Sequence, residues 1–268
     1  MKLYVKRIGD GFPVIILHGL YGSGDNWLTI AKNLAAICEV FLVDQRNHGR
    51  SPHSDQHDYP ALAEDLLEMM NEYKLDKAVL IGHSMGGKAA MWFAALYPSR
   101  VSRLIIADIS PRSYLDPAGN FSHNAFHVNV MDSMLAVDFS HADGIGDVDR
   151  QLEDRLPDKL LRQFLLKNIG KDSHSDLFWR LNLKVLRENL NNLSSGLEPF
   201  LERGEKFKQF PVVFIKGEQS RYIGAEDLEM IHQLYPDAQV LTVKNSGHWL
   251  HAEQPASVLA IIRRSLLS

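Results

Sequence analysis

A single cysteine, Cys38, stands in the 268 residues, so no internal disulfide can form and stability must come from a packed core. Cys38 lies in an apolar segment and reads as part of that core. No apolar run approaches the roughly 20 residues that a bilayer-spanning helix needs. Met1 to Arg7 holds neither an apolar stretch nor a small-residue cleavage site of the secretory kind, so the expected location is the cytoplasm. Basic residues are not in excess: Lys and Arg number 29 against 33 Asp and Glu, a net charge of -4. That balance gives no electrostatic footprint for nucleic acid. Metal-site motifs are missing as well. His123 and His127 are one helical turn apart, but no carboxylate or cysteine completes a ligand set and there is no H-E-x-x-H. With His141 and His174 they read as solvated or substrate-facing side chains, and neither a metal nor a cofactor is expected.

What the chain does have is an alternation of apolar runs and helical periodicities. Leu3 to Arg7, Pro13 to Leu17, Glu39 to Val43, Ala78 to Ile81 and Val101 to Ala107 read as strands. Between them, helices are expected from about Asp25 to Ala36, Tyr59 to Tyr73 and Gly87 to Tyr97. Such alternation implies an α/β fold, a mostly parallel sheet flanked by helices on both faces. From about Pro111 to Leu201 the rhythm changes to helical pieces, Ser122 to Val137, Pro157 to Ile169 and Phe178 to Leu193. Met131, Met134 and Leu135 are expected on the apolar underside of this insertion. Strands return at Pro211 to Gly217 and Ala238 to Val243, with helices at Ala225 to Leu234 and Pro255 to Leu267. The expected organisation is a core of residues 1–110 and 202–268, with residues 111–201 inserted in it as a helical cap.

Gly82-His83-Ser84-Met85-Gly86 sits between the strand ending at Ile81 and the helix beginning at Gly87. Strand, G-x-S-x-G, helix is the arrangement that lifts a serine Oγ out of a tight, strained turn at a helix N-terminus. Only small side chains fit two residues either side of the serine, hence the glycines. Free N–H groups at that helix end suit an oxyanion. A serine hydroxyl needs a base within hydrogen-bond reach, and the base needs a carboxylate on its other ring nitrogen. His248 follows the last strand in Ser246-Gly247-His248-Trp249 and reaches the same sheet edge; His251 is a decoy.

Two residues compete for the acid. The turn after the Pro211 to Gly217 strand, Gly217-Glu218-Gln219-Ser220, has a serine where a Gly-x-x-Asp turn would carry the acid, and Glu218 is misplaced within it. Asp108 ends the strand adjacent to the serine turn and is favoured over Glu218, which stays open. The oxyanion would be held by the backbone N–H of Met85 and by one from the loop after Leu17, assigned to Leu20. Asp44 and Arg46 are read as braces of their own loop, and His18 as a prop for the Leu20 loop.

His18-Gly19-Leu20-Tyr21-Gly22-Ser23, Asp44-Gln45-Arg46-Asn47-His48-Gly49-Arg50-Ser51, Gly82-His83-Ser84-Met85-Gly86-Gly87-Lys88, Ala107-Asp108-Ile109-Ser110-Pro111 and Ser246-Gly247-His248-Trp249 together resemble the α/β-hydrolase superfamily. Within it they are similar to the small bacterial YbfF-type esterases. The likeness covers both halves of the sheet and is weak across the helical insertion. It implies the acid at Asp108, so the catalytic set Ser84, Asp108 and His248. It also implies hydrolysis of a small-molecule acyl ester, with acyl-CoA thioesters among the substrates, and no cofactor. Carbon–carbon bond hydrolysis, cofactor-free haloperoxidase-like chemistry and a non-catalytic ligand-binding role are the alternatives on the same fold. Epoxide and haloalkane hydrolysis would need a carboxylate in place of Ser84. Oligomeric state is not encoded in any of these features.

Overall fold

The computed structural model describes residues 1–115 and 124–267. Among the described residues nine strands run in chain order: β1 Tyr4–Ile8, β2 Phe12–Leu17, β3 Cys38–Asp44, β4 Ala78–His83, β5 Val101–Ala107, β6 Ile169–Lys171, β7 Leu177–Trp179, β8 Val212–Gly217 and β9 Gln239–Val243. Seven of them form one sheet in the order β1-β3-β2-β4-β5-β8-β9. Only β1 is antiparallel, on β3; the other five pairings are parallel. The interior strands are near-continuous Val, Ile and Leu because a parallel sheet is covered on both faces.

Twelve α-helices are described: α1 Leu28–Leu34, α2 Tyr59–Glu72, α3 Met85–Leu96, α4 Asn124–Leu135, α5 Ile145–Glu153, α6 Lys159–Leu166, α7 Leu183–Glu188, α8 Leu190–Ser194, α9 Glu198–Glu202, α10 Asp227–Leu234, α11 Leu250–Glu253 and α12 Pro255–Leu267. Alternate strand residues feed two cores. Ile15, Leu17, Leu80, Leu104, Ile106 and Phe214 meet α2, α3 and α10 on one face. Val14, Ile16, Ile81, Ile105 and Ile215 meet α1 and α12 on the other. Each such side chain, fully buried, contributes about 1.5–3 kcal/mol. Cys38 lies in the second core as a free thiol.

Register places the carboxyl ends of the central strands side by side. Leu17 pairs with Gly82, His83 with Ala107, and Ala107 with Ile215. The chain steps from β2 outward to β3, then back past β2 to β4. A crevice opens at such a reversal, beyond the strand ends, and ligands bind there.

Among its described residues, the stretch between β5 and β8 adds no strand to this sheet. It carries α4 to α9 and builds its own core from Val130, Met131, Met134, Val148, Leu152, Leu161 and Leu165, against which Tyr21 packs. Two expectations are corrected here. The helix expected over Pro157 to Ile169 is present as the shorter α6, and the one expected over Phe178 to Leu193 begins only at Leu183 and breaks into α7 and α8, because an antiparallel hairpin of β6 and β7 takes up Ile169, Phe178 and Trp179. Asp172 closes its turn by accepting the N–H of His174 (2.8 Å) and of Asp176 (2.9 Å) on one carboxylate oxygen, a local bond that competes with helix. Leu135 is not on the apolar underside but 48% exposed; Val130, Met131 and Met134 fill the buried stripe, and Leu135 ends the helix outside it. The helix expected from Asp25 is a 3-10 turn, Gly24–Trp27, followed by the shorter α1. Ser122 and His123 lie outside the described residues.

Candidate active site

The turn between β4 and α3 is as tight as its glycines imply. A Cβ on Gly82 would stand 2.3 Å from the Gly86 carbonyl oxygen, and one on Gly86 would stand 2.4 Å from the Leu17 oxygen. Ser84 takes φ 51° and ψ -120°, a conformation that L-residues avoid and that costs of order 1–3 kcal/mol. Its N–H is tied to the Ala107 oxygen at 3.0 Å. The hydroxyl is thereby held clear of the sheet, at the N-terminus of α3.

Three distant stretches meet at that hydroxyl. His248 Nε2 lies 3.0 Å from Ser84 Oγ, and His248 Nδ1 lies 2.8 Å from Asp108 Oδ2. Asp108 is fully buried and, like Ser84, has a left-handed backbone, φ 50°. Its N–H donates to Ile215 O at 2.8 Å, and its Oδ1 accepts the Gly217 N–H at 2.9 Å. Ser220, at the position where an acid would complete a Gly-x-x-Asp turn, donates its hydroxyl to Asp108 Oδ2. The carboxylate thus has partners for both oxygens. Glu218 points elsewhere: its Oε2 accepts the Asn245 N–H at 2.9 Å and braces the turn before His248.

His248 is held on three further sides. The Tyr222 ring stacks on the imidazole, centroids 3.9 Å apart and planes 23° from parallel. His83 donates Nε2–H to the His248 carbonyl oxygen at 2.7 Å. The His83 and His248 rings lie 4.7 Å apart. Tyr222 escaped the sequence reading; it lies 26 residues before His248 in a loop, and no local signal marks it. His251 makes no hydrogen bond to Ser84. It is stacked on Trp27 at 4.5 Å, and burial lowers its imidazole to about 3.

The loop after β2 comes up beside the serine. Among the described residues, neither the Leu20 nor the Met85 amide N–H has a hydrogen-bond acceptor. Leu20 and Met85 border, with Ser84, one small cavity, and the Leu20 loop is firmly propped. His18 donates Nδ1–H to Gly19 O at 2.9 Å and accepts the Gln45 N–H on Nε2 at 3.0 Å. Gln45 returns a bond to the His18 oxygen at 2.7 Å. Asp44 accepts the N–H groups of Gly24 (2.7 Å) and Arg50 (2.9 Å), while Arg46 pairs with buried Asp65 at 2.6 Å. These are bracing roles, as expected for both.

Two cavities share the serine. The larger, about 140 Å³, is walled by His248, Trp249, Phe164, Trp27 and Phe126 among others. The smaller, about 50 Å³, is walled by Met85, Ile109, Tyr114, Leu193 and Tyr59. His127 borders both, its Nδ1 3.2 Å from the Tyr21 hydroxyl. It is thus one of the cap histidines that faces the site; His141 and His174 are exposed and His123 is outside the described residues.

Comparison with known proteins agrees with this architecture. The family model of the alpha/beta hydrolase fold matches residues 13–255. The chain is 34% identical to Esterase YbfF of Escherichia coli over 95% of its own length and 92% of that protein's. It is 33% identical to the sn-1-specific diacylglycerol lipase ABHD11 of Danio rerio over 95% of its length and 78% of that protein's. A solved marine microorganism esterase superposes with a TM-score of 0.91 at 39% identity, covering 98% of each chain. With esterases and lipases as its relatives, the chain belongs to the alpha/beta hydrolase family.

Proposed function

We propose that this ester hydrolase works through a Ser84–His248–Asp108 relay and an acyl-enzyme. The observation that carries the reading is the single line of hydrogen bonds through His248, 3.0 Å to Ser84 Oγ on one side and 2.8 Å to Asp108 Oδ2 on the other. Neutral His248 carries its proton on Nδ1, donated to Asp108, so that Nε2 is free to accept. As Ser84 Oγ bonds to the ester carbonyl carbon, its proton passes to Nε2. The oxygen of the carbonyl becomes an oxyanion held by the N–H groups of Leu20 and Met85. Such donors are fixed before reaction, and removing one typically costs about 10²–10³ in rate. The bond to the leaving oxygen then breaks, and Nε2 delivers the proton to it. Water, deprotonated by the same nitrogen, bonds to the acyl carbon; the bond from that carbon to Ser84 Oγ then breaks, Nε2 returns the proton to Oγ, and the carboxylic acid leaves. Asp108 holds the tautomer and stabilises the transient imidazolium.

The substrate is a small-molecule carboxylic ester; acyl-CoA thioesters react through the same steps and belong in the test. Residues 111–201 serve as a cap over the strand ends, setting the walls of the site. The test is a fluorophosphonate probe followed by a panel of acyl esters and acyl-CoAs. Covalent labelling that disappears in Ser84→Ala, with ester turnover lost in parallel, is the expected result. A chain that turns over esters with Ser84→Ala as fast as before, or that is not labelled at all, would overturn it.

A further inference from the structure

The two cavities at Ser84 are not equivalent. His248 borders the larger one and not the smaller one. In the proposed mechanism His248 Nε2 protonates the leaving oxygen, so the alcohol or thiol half of the substrate must occupy the His248 side. The acyl half is left with the smaller cavity, beside Met85 and Ile109. At about 50 Å³ that space is much smaller than the roughly 140 Å³ on the His248 side. Its walls are mostly apolar, with His127, Ser194 and tyrosines Tyr59, Tyr114 and Tyr222 among them.

Beyond Tyr59 lies a third recess of about 440 Å³, open to solvent and bordered by Pro60, Trp92 and Pro199 with Asp58 and Glu198 at its edge. Among the described residues, one borders both spaces: Tyr59, at the start of α2. Its side chain is 1% exposed. Its hydroxyl donates to the Leu193 oxygen at 2.6 Å, and its ring lies against Trp92, planes 16° apart. Leu193 itself lines the inner cavity and its neighbour Asn192 the outer recess. The tyrosine and the 192–195 segment thus form one wall, bolted by a hydrogen bond.

We propose that Tyr59 is the residue that sets acyl-chain length: it closes the acyl cavity, restricts the enzyme to short acyl groups, and shuts off a recess large enough for a longer chain. The proposal rests on the Ser84 reading, which tells the acyl side from the leaving-group side. A polar bolt across an apolar wall makes the limit sharp, since a chain pushing past it would strip the Leu193 carbonyl of its buried donor.

The experiment compares kcat/KM for p-nitrophenyl acetate, butyrate, octanoate and dodecanoate, so that only the acyl half changes. The wild-type enzyme is expected to prefer butyrate to octanoate by about tenfold or more, the scale of discrimination a hydrophobic pocket achieves. Tyr59→Ala joins the two spaces and is expected to raise the octanoate-to-butyrate ratio by about tenfold or more. Tyr59→Phe keeps the ring but removes the bolt, and should raise the ratio only part of the way to that of Tyr59→Ala. Leu193→Ala, which thins the same wall without removing the aromatic, should move the ratio in the direction of Tyr59→Ala. Titration of each protein with the fluorophosphonate counts intact sites. Normal labelling with an unchanged ratio in Tyr59→Ala and Leu193→Ala would sink the proposal, and so would a wild-type enzyme that prefers octanoate to butyrate, whatever the variants do. Failure to label the wild type would instead condemn the Ser84 reading beneath it.

Discussion

Replacing Asp108 by asparagine isolates what the buried carboxylate does. Its two oxygens accept from Gly217 N–H, the Ser220 hydroxyl and His248 Nδ1–H. An asparagine offers one oxygen and two N–H donors in nearly the same volume. With the oxygen retained by the Gly217 N–H, the amide nitrogen faces both Ser220 and His248. His248 must then accept on Nδ1 and carry its proton on Nε2, where it meets Ser84 and can no longer take the hydroxyl proton. A triad locked in that tautomer loses about 10⁴ in kcat, or about 5 kcal/mol at the standard conversion. Glu218→Gln keeps an oxygen for the Asn245 N–H and should stay within about threefold of wild type, consistent with a surface hydrogen bond. The assay is steady-state hydrolysis of p-nitrophenyl butyrate by both variants, with thermal melts to establish that each is folded. The reasoning is refuted if folded Asp108→Asn stays within tenfold of wild type, and doubly so if Glu218→Gln is the variant that collapses.

Two further perturbations follow from buried groups. Gly86→Ala would put a methyl 2.4 Å from the Leu17 oxygen and 2.5 Å from the His18 oxygen, forcing α3 away from the Leu20 loop; a loss of about 10²–10³ in kcat, as for one missing oxyanion donor, with a lower melting temperature, is expected, and near-normal kcat in the alanine variant would refute the two-donor assignment. Acid should destabilise the fold well before carboxylates protonate. Burial lowers His57 and His251 to about 3 in the folded chain, so between about pH 6.5 and 3 the unfolded state binds the extra protons and stability falls as pH falls. At pH 5 each costs about 2 kcal/mol relative to pH 7, and urea titrations of His57→Gln and His251→Gln should show correspondingly shallower losses; parallel curves for variants and wild type would rule the mechanism out.

How much of this was legible beforehand depends on how local each cause is. The strands at Val101 to Ala107 and around the serine turn could be read because a doubly covered parallel strand is an unbroken apolar run, whatever else surrounds it. Gly82 and Gly86 could be read because the collisions they avoid, with Gly86 O and Leu17 O, come from the turn itself and its nearest strand. The hairpin of β6 and β7 could not: three-residue strands carry no periodicity, and the turn between them is closed by Asp172 side-chain bonds that no spacing announces. The acid is the instructive case. Spacing left Asp108 and Glu218 both open, because the choice turns on two facts absent from any short stretch. Asp108 adopts φ 50° at the end of β5, which swings its carboxylate towards β8, and the β8 loop supplies a backbone N–H and the Ser220 hydroxyl to receive it. The vacancy at Ser220 and the acid at Asp108 are therefore one arrangement. The loop that lacks a carboxylate instead supplies two donors to a carboxylate from the neighbouring strand, and its Tyr222 stacks on the base that carboxylate orients. Ser220→Asp would remove the hydroxyl that donates to Asp108 Oδ2 and set a second carboxylate against the first in a buried site, so the serine is the residue that fits the arrangement.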